Sequence, residues 1–349
     1  MYDYIVVGLG VAGWSFLQQL DENRQNYVVF DNQSQQSTRI AGGMFNPVIL
    51  KRFTPAWKAH EWLKYALLQF QKAELQYGQK YIHYIDIYRK LTGVEEQNNW
   101  VAASDKPVLS EYMKDIVFES IDGIEAPFGF GVLQGTGIVN VAQLLNDVAT
   151  DLKRHHKLFE ADFNYEQLQI FPDYVSYGDI KARKIVFAEG FGIKRNPFFK
   201  HLPLTGTKGE MLMIETEADI PYIVKSNVFI APNVARKGQY YVGATYNWED
   251  KTNIPTTAAR KHLESKLQKL LHRPYKVVQQ KAGIRPTVID RRPLAGKHPD
   301  YQNVAVLNGM GTRGVILAPA TAKQLFQYLE FDMPMLKEVD IRRFSKFSD

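Results

Sequence analysis

The chain predicts an α/β fold: a parallel sheet flanked by helices, with an antiparallel sheet inserted into it. Three observations predict it. An apolar strand over 2–7 runs into the turn Gly8-Leu9-Gly10-Val11-Ala12-Gly13, alternating aromatic-rich segments fill the middle of the chain at 211–214 and 240–245, and strand, glycine turn and apolar helix return over 303–329. The first of these is the most specific. A strand feeding G-x-G-x-x-G, an amphipathic helix carrying Val11, Phe16, Leu17 and Leu20, a second strand over 27–30 and then the acid Asp31 form the fingerprint of a Rossmann-like dinucleotide site. Gly8 permits the tight turn, Gly10 admits the backbone to a pyrophosphate, and Gly13 lets the helix pack close to the strand. The helix N-terminus favours negative charge, and Asp31 is placed to accept bonds from an adenosine ribose. Leu17 departs from the small residue usual against the sheet.

Downstream, 37–47 is rich in small residues and reads as a loop, and 55–77 reads as a long helix with Leu63, Leu67, Phe70 and Leu75 near helical spacing. Residues 81–91 read as one strand. Asn140 is a good N-cap for a helix that puts Val141, Leu144, Leu145, Val148 and Leu152 on one face. A buried strand over 184–187 ends in Ala188-Glu189-Gly190. After the middle strands, 303–307 is a strand, 309–314 a glycine turn, and 315–329 a helix burying Ala322, Leu325, Phe326 and Leu329. Both chain ends therefore belong to one cofactor domain, 1–78, 136–204 and 283–349, interrupted by a substrate domain, 79–135 and 205–282.

At 349 residues the chain is long enough for two domains, and 45% hydrophobic with 23% charged residues leaves no disorder signature. It has no basic-then-apolar leader and no apolar run of about eighteen residues, so the expectation is a cytoplasmic protein without a membrane span. The absence of cysteine excludes disulfides, cysteine-ligated metals and a flavin attached through a cysteine thioether. A net charge of +6 is compatible with an anionic partner, including nucleic acid, but the basic residues are scattered and short clusters such as 153–157 read as solvated faces. His83, His155, His156 and His298 carry no metal-ligand spacing, and no metal is expected.

Taken together, Gly8 to Gly13, Ala41-Gly42-Gly43-Met44, Ala188-Glu189-Gly190, Lys208-Gly209-Glu210, Val242-Gly243-Ala244-Thr245 with Pro255-Thr256, Ala282-Gly283-Ile284-Arg285-Pro286, and Gly309 to Pro319 resemble the FAD-dependent D-amino acid oxidase and glycine oxidase family. The resemblance spans nearly the whole chain. It implies a noncovalent FAD lying across a two-domain fold of the glutathione-reductase-like type, with substrate between the flavin and a large antiparallel sheet. The cofactor residues it implies are Gly8, Gly10, Val11, Ala12, Gly13, Asp31, Gly42, Gly43, Met44, Ala188, Gly190, Gly309, Gly311, Thr312, Arg313 and Gly314, with Asn46 beside Met44 at the flavin. A helix N-terminus at 309–314 would stabilise negative charge developing on the flavin pyrimidine.

On the substrate side Arg285 is the leading candidate. A guanidinium clamps a carboxylate through two parallel bonds and stays charged at any relevant pH. The resemblance gives the arginine of this segment that role; the competing reading is a structural ion pair, with Asp290 and Arg291 close by in sequence. Tyr246 is a second candidate, to bond a carboxylate or close the pocket, or else a sheet aromatic. Arg313 is a third, although glycine oxidases resemble this turn with their arginine at the position of Thr312. The expected activity is hydride transfer from the C–N bond of an amino acid or secondary amine carboxylate to flavin N5. Two alternatives stand beside it: the same chemistry on carboxymethylaminomethyl-uridine of tRNA, because the 309–314 turn also looks like that of the enzyme maturing this base, and a flavin-binding protein without turnover.

Overall fold

The computed structural model describes residues 1–347. Its first sheet has Leu158–Phe159, Tyr27–Phe30, Tyr2–Val7, Ile180–Phe187 and Val304–Asn308 side by side and parallel. Tyr4 stands level with Tyr27 on one side and Lys184 on the other. Residues 4–7, 27–30, 185–187 and 304–307 of these strands read as continuous apolar runs because both faces are covered there. Tyr4, Val6 and Val29 point to the face packed by Trp14, Leu17, Leu144 and Leu325, whereas Ile5, Val7 and Val28 point to the opposite face with Phe187, Phe199 and Leu204. Leu17 is 2% exposed within the first of these clusters, so the sheet–helix interface accommodates the larger side chain.

The second sheet runs Lys276–Arg285, Thr207–Glu215, Gln239–Gly243, Phe229–Pro232, Ile223–Lys225, Ile87–Lys90, Phe130–Leu133, Met113–Val117. Every neighbouring pair is antiparallel except Ile223–Lys225 with Ile87–Lys90. The middle strands expected from alternation thus pair directly, Met213 opposite Tyr241. A boundary at 282/283 falls inside Lys276–Arg285, so Arg285 is delivered by the antiparallel sheet rather than by the cofactor sheet.

Four local expectations are corrected. The 37–47 segment contains a helical turn, Ser37–Ile40, and a short strand, Met44–Phe45, held by Gly137–Val139, a partner about ninety residues away that local composition does not reveal. The long helix starts at Ala59 because Thr54–Pro55 is tied into a ribbon with Val48–Ile49. On it Leu63 and Phe70 are buried, but Leu75 is 86% exposed, since the buried stripe continues through Ala66 and Ala73 instead. Residues 81–91 form two strands: Ile82–Tyr84 joins the Gly137–Val139 strand, and Ile87–Lys90 enters the eight-stranded sheet. The run of Tyr and Ile residues continues through both, so composition alone gives no sign of the break.

Candidate functional site

A cavity of about 370 Å³ opens beyond the carboxyl ends of the parallel strands, where Val7, Phe30, Ala188 and Asn308 meet it, and extends to Gly209, Met211 and Phe229 of the antiparallel sheet and to Ala244 just after it. This is the crevice in which open α/β sheets bind ligands. The expected residues Gly8, Gly10, Val11, Ala12, Asp31, Gly42, Gly43, Met44, Ala188, Gly190, Gly311, Thr312 and Gly314 line it, together with Tyr246 and Arg285.

The glycines divide into two kinds. At Gly8 the backbone has φ +104°, and an added Cβ would lie 2.5 Å from the Ala188 carbonyl oxygen; at Gly13 it would lie 2.0 Å from the Gly8 carbonyl oxygen. These positions hold helix and strands together. At Gly10 the nearest atom to such a Cβ is the Thr38 hydroxyl at 3.3 Å, at Gly42 it is Met44 Cε at 3.9 Å, and at Gly311 nothing lies within 4 Å. These positions leave backbone bare to the cavity, which is the cradle a pyrophosphate and a flat ring system require.

Helix N-termini supply the electrostatics. Val11–Glu22 begins with no side-chain cap and no acid in its first turn, and only the Val11 N–H is taken, by the Thr38 hydroxyl at 3.3 Å. Gly314–Phe331 likewise starts uncapped and without acids, with Gly314 and Val315 on the cavity. Both ends present unneutralised positive dipoles. Asp31 accepts the Leu9 N–H at 3.1 Å, and burial raises its carboxyl above the ordinary value.

Three expected cofactor residues lie off the cavity wall. Gly13 acts in packing, as above. Gly309 turns with φ +75° against Val288 and Leu294, and is a structural turn. Arg313 is the N-cap residue of the last helix; Thr312, one position earlier, meets the cavity and Arg313 does not. Asn46 likewise does not line the cavity; its side chain accepts the Val48 N–H at 2.8 Å and braces the loop.

Arg285 lines the antiparallel-sheet side of the cavity. Its Nη1 donates to the Thr245 carbonyl at 3.3 Å and its guanidinium lies 4.6 Å from the centre of the Tyr246 ring, which is 63% exposed. Among the described residues it has no carboxylate partner. Asp290 is engaged by Arg343 at 2.8 Å and Arg291 is exposed, so the ion pair suggested by sequence proximity does not form. Burial without a counter-charge pulls Arg285 below its usual pKa, and the same holds for Arg313.

Several wall residues escaped sequence reasoning. Thr38 and Ile40 arrive on the turn read as loop, Phe229 sits in a strand with no motif, and Asn308 donates to the Gly190 carbonyl at 2.9 Å, joining two of the glycine turns. Gly209 belonged to a recognised segment but had no assigned role. Among the described residues no cluster of His, Asp or Glu is arranged to hold a metal ion, and no helix is long and apolar enough to cross a membrane.

A parallel sheet with a bare glycine cradle, facing an antiparallel sheet across one cavity, defines the class: a dinucleotide-dependent oxidoreductase of the flavoprotein type. The chain belongs to the FAD dependent oxidoreductase family, whose model matches residues 3–328. It is similar to the glycine oxidase of Pseudomonas aeruginosa, 23% identical over 95% of this chain and 96% of that protein. It is 31% identical to the Bacillus subtilis glycine oxidase over 172 residues, a match spanning 47% of this chain and 44% of that relative. Among solved structures, glycine oxidase from Bacillus cereus superposes with a TM-score of 0.81 at 17% identity, over 96% of this chain and 98% of the other. The chain is therefore an FAD-dependent enzyme, and its glycine cradle and uncapped helix ends fit that cofactor.

Proposed function

We propose that this chain oxidises the C–N bond of an amino acid or of a secondary amine bearing a carboxylate. The observation that carries the reading is Arg285, a cation drawn largely out of water at the cavity wall with no carboxylate among the described residues beside it. A partly buried charge without a counter-charge is costly, and a substrate carboxylate supplies the missing partner. The glycine oxidase relatives support the same substrate class.

Gly8, Gly10 and the first turn of Val11–Glu22 would hold the FAD pyrophosphate, Asp31 the ribose, and Gly42, Gly43 and Met44 the flavin, with the Gly314–Phe331 helix start near its pyrimidine. The bound flavin supplies a two-electron acceptor at N5 for the hydride of the substrate α carbon. Arg285 fixes the carboxylate and thereby the direction of the α C–H bond, and Tyr246 covers the guanidinium and limits access of water. The substrate binds with its nitrogen unprotonated, that proton having passed to solvent, and the imine left after hydride loss takes up water to yield a carbonyl compound and ammonia or an amine. No acid–base dyad is required of the protein, whose contribution is orientation and electrostatics.

The test is anaerobic mixing of the yellow holoenzyme with a panel of amino acids and N-substituted glycines. Bleaching by carboxylate-bearing amines supports the reading. A flavin that stays oxidised with the whole panel contradicts it and leaves a flavin-binding protein without this turnover.

A further inference from the structure

Gly209 stands opposite Gly283 across the antiparallel pair, and Arg285 stands opposite Thr207, so Gly209 and Arg285 are diagonal neighbours on one face of the sheet. A Cβ at Gly209 would lie 2.1 Å from Arg285 Nη2, 2.2 Å from Nη1 and 2.3 Å from Cζ. At such distances something must shift, and the group that must give is the guanidinium at the far end of the Arg285 side chain. Gly209 has no need of glycine for its backbone, since it sits in regular strand and outside the positive-φ set.

The residues on either side point to the other face. Lys208 is fully buried and its Nζ donates to Asp250 at 2.5 Å and to the Ile254 carbonyl at 2.5 Å. Glu210, 3% exposed, accepts from the Thr256 N–H and hydroxyl, each at 2.8 Å, and from Gln280 at 2.7 Å. Backbone bonds join Lys208 to Asn247 in both directions at 2.9 Å. The segment running from Thr245 to Thr256, which carries Tyr246, is thereby tied to the strand that carries Gly209.

We propose that Gly209 is a positioning residue for Arg285: the space left by its missing side chain is the seat of the guanidinium, closed from the other side by the Tyr246 ring that the Lys208 and Glu210 bonds hold in place. The inference rests on Arg285 being the carboxylate clamp, and it adds what sets the clamp's position. A methyl group at 209 pushes the cation away from the strand and out of register with the substrate carboxylate while leaving the nucleotide cradle untouched.

The experiment compares wild type, Gly209→Ala, Arg285→Met and the double variant as holoenzymes, with one carboxylate substrate, the matching amine lacking the carboxylate, and a melting curve for each. Gly209→Ala is expected to keep its FAD and to raise KM for the carboxylate substrate about tenfold or more, with a smaller change in kcat and little change for the amine. Added to Arg285→Met, the same substitution should cost nothing further in KM or in melting temperature, because the atoms it displaces are gone. If Gly209→Ala alone fails to fold, recovery of folding in the double variant supports the proposal. Failure of both to fold, additive losses, equal losses on the two substrates, or unchanged carboxylate kinetics overturns it. The melting cycle reads the contact between Gly209 and Arg285 without substrate, so a failure of the clamp reading is distinguished from a failure of this one.

Discussion

Whether an added Cβ meets backbone or open cavity separates two glycines of the same motif, and with them two kinds of loss. Gly10→Val places its branches beside Thr38 at the cavity, so the apoprotein should fold while FAD is lost, and the melting temperature of the purified protein should fall by the linkage contribution of the cofactor. Retention of full flavin content would show that this turn is not the phosphate site. Gly13→Ala instead drives a methyl group onto the Gly8 carbonyl oxygen, and the apoprotein itself should lose about 1 to 3 kcal/mol in denaturant titration, the usual cost of overpacking. At this scale the sequence was informative where function is local. Strand, turn, helix and acid lie within thirty-one residues and announce the cradle, whereas Thr38 acts across a turn with no pattern of its own, and whether Asp290 pairs with Arg285 or, as here, with Arg343 is decided only by tertiary structure.

Elements show the same limit. The helix Val141–Arg154 was legible because its apolar stripe and its cap are both local: the Asn140 side chain accepts the Gln143 N–H at 3.2 Å. Asn140→Ala should destabilise the protein by about 1 kcal/mol in equilibrium unfolding, and an unchanged midpoint would mean that the cap contributes nothing. The segment 81–91 reads as one strand because Tyr and Ile residues run through it, and its division is set by partners at 137–139 and 223–225. The tie between Lys208 and Asp250 gives this scale a pH signature. Bonds from Lys208 first, then from Thr252, hold the Asp250 carboxyl at about 2, below its ordinary 3.8. A depressed folded-state value means that this stabilisation is complete above about pH 4 and is lost as the pH falls through about 2. Asp250→Asn should therefore flatten the stability profile between those limits; a variant profile running parallel to wild type would show that the pair is not coupled to folding.

For the whole molecule, the two-sheet plan follows from glycine and periodicity signals at the two chain ends and in the middle, and the family match extends over almost all of it. What the sequence left open is how the sheets meet. A boundary at 282/283 falls inside the strand that brings Arg285 to the cavity, because in sequence a continuous strand looks the same as a strand followed by a linker. Without cysteine, the cofactor has no thioether to hold it, and heat-denatured protein should release intact FAD into the supernatant; flavin that remains with the precipitate would contradict noncovalent binding. Arg285 on the antiparallel sheet faces the glycine turns of the parallel sheet across one cavity. The most direct measurement is the rate of anaerobic flavin reduction in wild type and Arg285→Met, with a carboxylate substrate and the matching amine. Loss of the clamp should lower the efficiency with the carboxylate substrate by about 2 to 5 kcal/mol, roughly thirtyfold to several thousandfold, with FAD content and melting temperature near wild type and a much smaller effect on the amine. Parallel losses on both substrates together with an earlier melting transition would show that Arg285 braces the fold and does not hold the substrate.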